Sequence, residues 1–258
     1  MNTKIQTIES AMNQYCKMFA IDKTEALRVY TELKQYYGGT KIERNHEISK
    51  LETKWYSALD DEGYADYSVY DNEFYFCDLL ACFFVYSHKC ITMLDKLKIQ
   101  PKSILDMGCG LGLTTQMLSD KYNANCIGTN LEETKQYLFA KSNGLDIQPD
   151  HKKVGQVDLV FASEYFEHIH NAGDHLLEVL KFNRPKYLIM ANAFTAESVG
   201  HFRHFYNGAW ASKSHSCDSM VPASKMGRMF SSILKAEGYS KMDAKFWNNR
   251  PQCWEKLK

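Results

Sequence analysis

At 258 residues the chain has room for one large domain with an appendage, or two small domains, and can bury an ample core. Its 31 basic and 31 acidic residues cancel, which leaves no global electrostatic footprint for nucleic acid or an anionic membrane. No apolar run is expected to reach membrane-spanning length, the polar opening MNTKIQTIES does not read as a signal peptide, and no membrane partner is expected. Cys16, Cys77, Cys82, Cys90, Cys109, Cys126, Cys217 and Cys253 form no CxxC pair, and several sit in apolar runs. These features predict a cytoplasmic protein with neither disulfides nor a structural zinc.

Thr3 to Tyr37 carries helical periodicity, with a fresh start near Asp22 and a stop at Gly38-Gly39. The polar stretch to about Lys54 reads as a solvated helix or linker without chemistry. Trp55 to Tyr75, WYSALDDEGYADYSVYDNEFY, is rich in aromatics and acids, which suits either a hydrophobic seam or the wall of a pocket. Phe76 to Leu97 is apolar almost all round and predicts a buried helix packed on a sheet, with His88 at its core or edge.

Lys102 to Asn130 organises the rest. Ser103 to Met107 reads as a strand, a glycine turn follows, a helix opens at Leu113, and Asn125 to Thr129 reads as a second strand. Gly108, Gly110 and Gly112 let the backbone turn tightly and present its N–H groups beside a helix N-terminus. The spacing is neither the GxGxxG of dinucleotide sites nor the GxxxxGK of phosphate loops.

Asp106 together with the three glycines, Asp-x-Gly-x-Gly-x-Gly, resembles motif I of the class I S-adenosylmethionine-dependent methyltransferases. The resemblance implies an α/β, Rossmann-like methyltransferase sheet with helices on both faces and a closing antiparallel hairpin. It covers residues 76–258, with residues 1–75 as a helical cap and aromatic lid. It further implies S-adenosylmethionine held by Asp106, Gly108, Cys109, Gly110, Gly112, Asn130, Leu131 and Ser163. In the family Asp106 would fix the loop and the cofactor's amino group, while an acid ending strand two would accept the ribose hydroxyls. Here that position is Asn130, followed by Leu131, Glu132 and Glu133. An uncharged carbonyl accepts more weakly, so Asn130→Asp is expected to tighten binding unless Glu132 substitutes.

Glu132 to Ser142 is expected to be helical, and Gly144 to Gly155 irregular with a short third strand. Val157 to Ala162 and Tyr187 to Ala191 read as strands four and five, with the helix Ala172 to Lys181 between them. Met226 to Glu237, Ser240 to Trp247 and Gln252 to Lys256 read as helix, strand and strand. Phe194 to Val221, which holds Arg203, Trp210, Lys213 and His215, is long enough to be an insertion covering an acceptor.

Strand four leads into Ser163-Glu164-Tyr165-Phe166-Glu167-His168-Ile169-His170, at the sheet edge where ligands bind. On a helix, Glu164, Glu167 and His168 would share a face, and two carboxylates beside an imidazole suit a divalent cation. This pattern looks like that of the ubiquinone-pathway O-methyltransferases and the small-RNA 2′-O-methyltransferases. There the matching residues hold a divalent metal and the RNA enzymes add a histidine, here His204 or His201. The expected site therefore has His168 as base or ligand, Glu164, Glu167 and His204 as further ligands of Mg, Mn, Fe or Zn, and Tyr67, Tyr70, His204 and Trp210 facing the acceptor. The (D/N/S)PP(Y/F) and Pro-Cys motifs of DNA-base methyltransferases are missing, and Pro251-Gln252-Cys253 has the wrong order. The expected activity is methyl transfer to an oxygen or nitrogen of a small molecule. Its alternatives are an RNA 2′-O-methyltransferase and a non-catalytic protein that binds S-adenosylmethionine or a partner.

Overall fold

The computed structural model describes residues 7–210, 219–244 and 251–257. The first two helices are α1 (Ile8–Phe19) and α2 (Lys23–Tyr37). Side chains of Thr7 and Asp22 cap them by accepting from backbone N–H groups of Ser10 and Glu25, and these caps separate one periodic stretch into two elements. α3 (His46–Ser57) follows, and it is not the solvated segment its polarity suggests. Ile48, Leu51, Trp55 and Tyr56 form a buried stripe at helical spacing within the polar sequence.

A short 3₁₀ turn, Tyr67–Asp71, carries part of the aromatic segment. Then α4 (Tyr75–Cys82), a π turn (Phe83–Ser87) and α5 (His88–Lys96) form one continuous helix. Contrary to expectation, the helix Tyr75–Lys96 is long and apolar enough to cross a membrane. Its residues are accounted for otherwise: Phe76, Cys77, Leu80 and Ala81 pack in the main core, where the Phe76 ring stacks on Tyr15 at 4.2 Å.

The sheet has seven strands: β1 (Ser103–Met107), β2 (Asn125–Thr129), β3 (Ile147–Gln148), β4 (Leu159–Ser163), β5 (Tyr187–Ala191), β8 (Tyr239–Lys241) and β9 (Gln252–Lys256). Their order is β3-β2-β1-β4-β5-β9-β8; the first five are parallel, and β9 joins β5 antiparallel and pairs with β8 as the closing hairpin. Side chains alternate between faces and both faces are covered. Leu159 and Phe161 enter the core with α5 and with α6 (Leu113–Tyr122). Val160 and Ala162 enter the larger core with the N-terminal helices, α8 (Ala172–Phe182) and α9 (Ala223–Ala236). Strands buried on both faces read as continuous apolar runs, which is why they are legible in the sequence.

Boundaries shift where backbone geometry intervenes. α7 (Lys135–Ser142) starts later than Glu132 because Glu133 sits at φ +65 and Thr134 supplies the cap. The segment after β5 packs through Phe194, Val199, Phe202 and Phe205 and forms a ribbon of β6 (His204–Tyr206) and β7 (Met220–Pro222). Lys213, His215, Cys217 and Trp247 lie outside the described residues. The other seven cysteines are free thiols, all buried except the half-buried Cys82.

Candidate active site

The strand order reverses between β1 and β4, and a cavity of about 840 Å³ opens there beneath the N-terminal helices. One wall is the glycine turn, where Gly108, Gly110 and Gly112 all adopt positive φ. The turn is pinned from β2: Gly108 N–H donates to Thr129 Oγ1 (3.2 Å) and Cys109 N–H to the Thr129 carbonyl (2.9 Å). The glycines have different tasks. A Cβ at Gly112 would stand 2.2 Å from Leu145 Cδ1, and one at Gly108 2.4 Å from the Tyr165 ring, so both are demanded by packing. Only Gly108 and Gly110 border the cavity; Gly112 and the buried Cys109 support from behind.

Asp106 lies under this turn and is buried. Its Oδ2 accepts from the hydroxyls of Thr114 (2.6 Å) and Thr115 (2.7 Å), tying β1 to the first turn of α6. Burial pushes its carboxyl up to about 6, against the opposing pull of the two hydroxyls. A smaller cleft of about 70 Å³ borders Asp106, Ser163, Ser87 and Glu164 and shares Gly108 and Gly110 with the main cavity. Ser163 donates to Ser87 Oγ (3.1 Å), in the π turn that sequence reading does not single out.

Asn130 borders the cavity, but its carboxamide is already engaged. Its Nδ2 donates to the Gly110 carbonyl (2.9 Å), and its Oδ1 accepts from Leu131 N–H (2.9 Å). The carboxamide therefore clamps the glycine turn, while Oδ1, with its second lone pair, can still accept from a ligand. Leu131 is exposed and lines the cavity, whereas Glu132 is exposed and does not.

The opposite wall gathers Tyr70, His168 and His201. Tyr70 Oη and His168 Nδ1 are 3.1 Å apart, and the rings of His168 and His201 meet edge to face at 4.7 Å. Gly200 at φ +83 admits this contact, since a Cβ there would lie 2.0 Å from Tyr70 Oη. Burial, reinforced by His201, pushes His168 well below the usual imidazole range, so it is neutral near pH 7. Burial pushes Tyr70 up, so it stays a phenol. His201 is held from below by its Nδ1 contact with the Ala196 carbonyl (2.6 Å), and Trp55 Nε1 donates to the His201 carbonyl (2.8 Å).

The expected metal ligands do not assemble. Glu164 takes a left-handed conformation (φ +52) straight after β4, and the following residues make only a 3₁₀ turn, Phe166–His168. The shared helical face therefore never forms. Glu167 points inward, fully buried, its Oε1 accepting from Ala193 N–H (2.6 Å), while His204 is exposed on β6. Among the described residues the three donors that lie within 4.8 Å of one another are His151, His175 and Glu178 instead. Of the expected acceptor-facing residues, Tyr67 and Tyr70 line the cavity, and His204 and Trp210 do not. Trp210 packs on the core with its backbone N–H donating to Asp174 Oδ1 (3.0 Å).

The N-terminal region supplies a wall that no motif announces. Arg44 is almost fully buried, contacting Asp78 at 3.2 Å, Ser198 Oγ at 2.9 Å, Tyr37 Oη at 2.6 Å and Glu52 at 2.5 Å. It joins the α2–α3 loop, α4 and the segment after β5 around the cavity. The charged side chains in the described lining are Arg44 against Asp78, Glu164 and Glu197, alongside seven tyrosines.

Residues 105–189 match the family model described as a methyltransferase domain. This stretch is similar to methyltransferase domains. A probable chloroplastic tocopherol O-methyltransferase from Oryza sativa subsp. japonica is 29% identical over 107 residues, covering 35% of this chain and 28% of that protein. The chain thus spans less than a third of this relative's length. The structure of magnesium protoporphyrin IX methyltransferase from Synechocystis PCC 6803, with bound SAH, aligns at a TM-score of 0.50 and 15% identity. That alignment covers 81% of this chain and 96% of the other, and it shows a shared fold.

Proposed function

We propose that this methyltransferase domain moves a methyl group from S-adenosylmethionine to an oxygen or nitrogen of a small, flat, tyrosine-contacting acceptor. One observation carries the reading: a single cavity joins the glycine turn of motif I to a half-buried imidazole, His168, whose desolvation keeps it neutral. The residues fit the cofactor. Gly108 and Gly110 bare their backbone, and beyond the Arg44–Asp78 pair Glu164 and Glu197 give the described lining an acid excess suited to a cationic ligand. S-adenosylmethionine would supply an already activated methyl group on its sulfonium.

The chain's own part is alignment and proton removal. In the tautomer that donates Nδ1–H to the Tyr70 hydroxyl oxygen, His168 keeps its lone pair on Nε2 and can take the acceptor's proton. Tyr67 and Tyr70 offer aromatic faces, and His201 together with Gly200 keeps the His168 ring in place. The same acid excess opposes a phosphate backbone, which disfavours an RNA acceptor. Tocopherol and protoporphyrin in the names of the two similar proteins support a small-molecule acceptor. Calorimetric titration with S-adenosylmethionine and SAH, followed by transfer of a labelled methyl group to phenolic and heteroaromatic acceptors, tests the reading. Failure of both ligands to bind at millimolar concentration would overturn it.

A further inference from the structure

A second group of side chains lies outside this cavity. His151 sits in a 3₁₀ turn, His151–Lys153, between β3 and β4, buried against α8. The Asn183 carboxamide settles its tautomer. Asn183 Nδ2 donates to the carbonyls of His151 and Gly155 (2.9 Å each), so Oδ1 must be the atom that faces His151 Nδ1 at 2.7 Å. An amide oxygen only accepts, so Nδ1 carries the proton and Nε2 the lone pair. That Nε2 is buried and has no hydrogen-bond partner.

His175, on α8, stands perpendicular to His151 with ring centroids 5.0 Å apart. Its Nε2 meets Tyr165 Oη at 2.9 Å, leaving Nδ1 turned toward Glu178 Oε2 at 4.0 Å. One donor atom from each of His151, His175 and Glu178 lies within 4.8 Å of the others. Both imidazoles have their second nitrogen fixed by a neighbour, the arrangement that orients histidine ligands toward a metal.

We infer that His151 Nε2, His175 Nδ1 and Glu178 form a binding site for a divalent transition metal, with zinc the best match to two imidazoles and one carboxylate. Metal–ligand bonds of about 2.0–2.1 Å in a tetrahedron place ligand atoms roughly 3.3 Å apart, so the group must contract. Glu178 can supply that movement: it is 44% exposed and rotates away from Lys152, which it now meets at 3.0 Å. Water fills the fourth position. The metal would also lock His175 as a donor to Tyr165, whose ring packs under Gly108 in the cofactor turn.

The test uses full-length, tag-free protein stripped by chelator and titrated with Co²⁺, then Zn²⁺, with Glu178→Gln and His151→Phe variants alongside. Expected are equimolar Co²⁺ uptake, the visible bands of four-coordinate cobalt without sulfur charge transfer, displacement by Zn²⁺, and a higher melting temperature with Zn²⁺. Glu178→Gln, at a partly exposed position that folding does not need, should bind at least about tenfold more weakly. If His151→Phe fails to fold, the Glu178 variant decides alone. No equimolar uptake, uptake unchanged in Glu178→Gln, or sulfur charge-transfer bands would overturn the site.

Discussion

Replacing Asn130 by aspartate separates two views of the residue. If position 130 serves as ribose acceptor, the added charge brings hydrogen bonds of roughly 1.5–3 kcal/mol in the complex and little change without ligand. The structure adds a role for the other end of the amide, because Nδ2 donates to the Gly110 carbonyl at 2.9 Å in the free protein. The aspartate side chain would set a carboxylate oxygen against that carbonyl, losing the bond and leaving its acceptor facing another acceptor, a cost of about 1–3 kcal/mol. For a chain of this size that lowers the melting temperature by roughly 2–4 °C per kcal/mol. Acid offers an internal control, since a protonated carboxyl regains a donor and the difference from the parent should shrink. SAH affinity, measured by calorimetry, should stay level or weaken as the glycine turn loses its clamp. A variant that melts no lower than the parent and binds SAH more tightly would refute the clamp and favour the ribose role.

Three further outcomes are expected. His168→Gln should lower kcat about 10²–10⁴-fold while leaving SAH binding nearly intact, and the parent's rate should fall only well below pH 6.5, because burial holds the imidazole neutral; a fall centred at or above 6.5 would rule out this base. Gly112→Ala should destabilise more than Gly110→Ala in urea, since one Cβ meets Leu145 at 2.2 Å and the other meets Leu79 at an ordinary 3.5 Å; equal losses would show that the turn relaxes. Asp106 binds its proton more tightly folded (about 6) than at its ordinary 3.8, so its contribution to stability declines as pH rises from about 4 to 6, by about 3 kcal/mol; Asp106→Asn should lack that slope in denaturation series, and an unchanged slope would assign it to other groups.

What the sequence reveals is what local chemistry controls. β1, β4 and β5 are largely apolar runs bounded by turn residues, and the glycine spacing marks a turn whose φ values are positive at all three glycines. The region after β4 departs from the sequence reading for an equally local reason. The spacing of Glu164, Glu167 and His168 predicts a shared helical face, yet a left-handed residue at Glu164 redirects the chain before any helix starts. Contacts distant in sequence leave no periodic trace. Arg44 meets Asp78 and Ser198 at separations of 34 and 154 residues, and only packing brings the three together. Gly200 is visible in SVGHF but carries no motif, and its need for φ +83 emerges only once Tyr70 and His168 are in place.

The division between generic and particular follows the same lines. The family match spans residues 105–189, which contain the glycine turn, Asn130 and His168, the parts to which the proposed function gives the cofactor and the proton transfer. Tyr36, Tyr37, Arg44, Tyr67 and Tyr70 come from before it, and Ser198 and His201 from after it. A fold of this kind hosts many acceptors, and choice among them resides in what is added to the sheet. Here the additions are tied to one another: Arg44 reaches from the α2–α3 loop to Ser198, and Trp55 from α3 holds the carbonyl of His201. The cavity wall and the His201 that packs on His168 therefore share one support, so under the proposed function changes that repack α3 should alter acceptor choice and the His168 environment together.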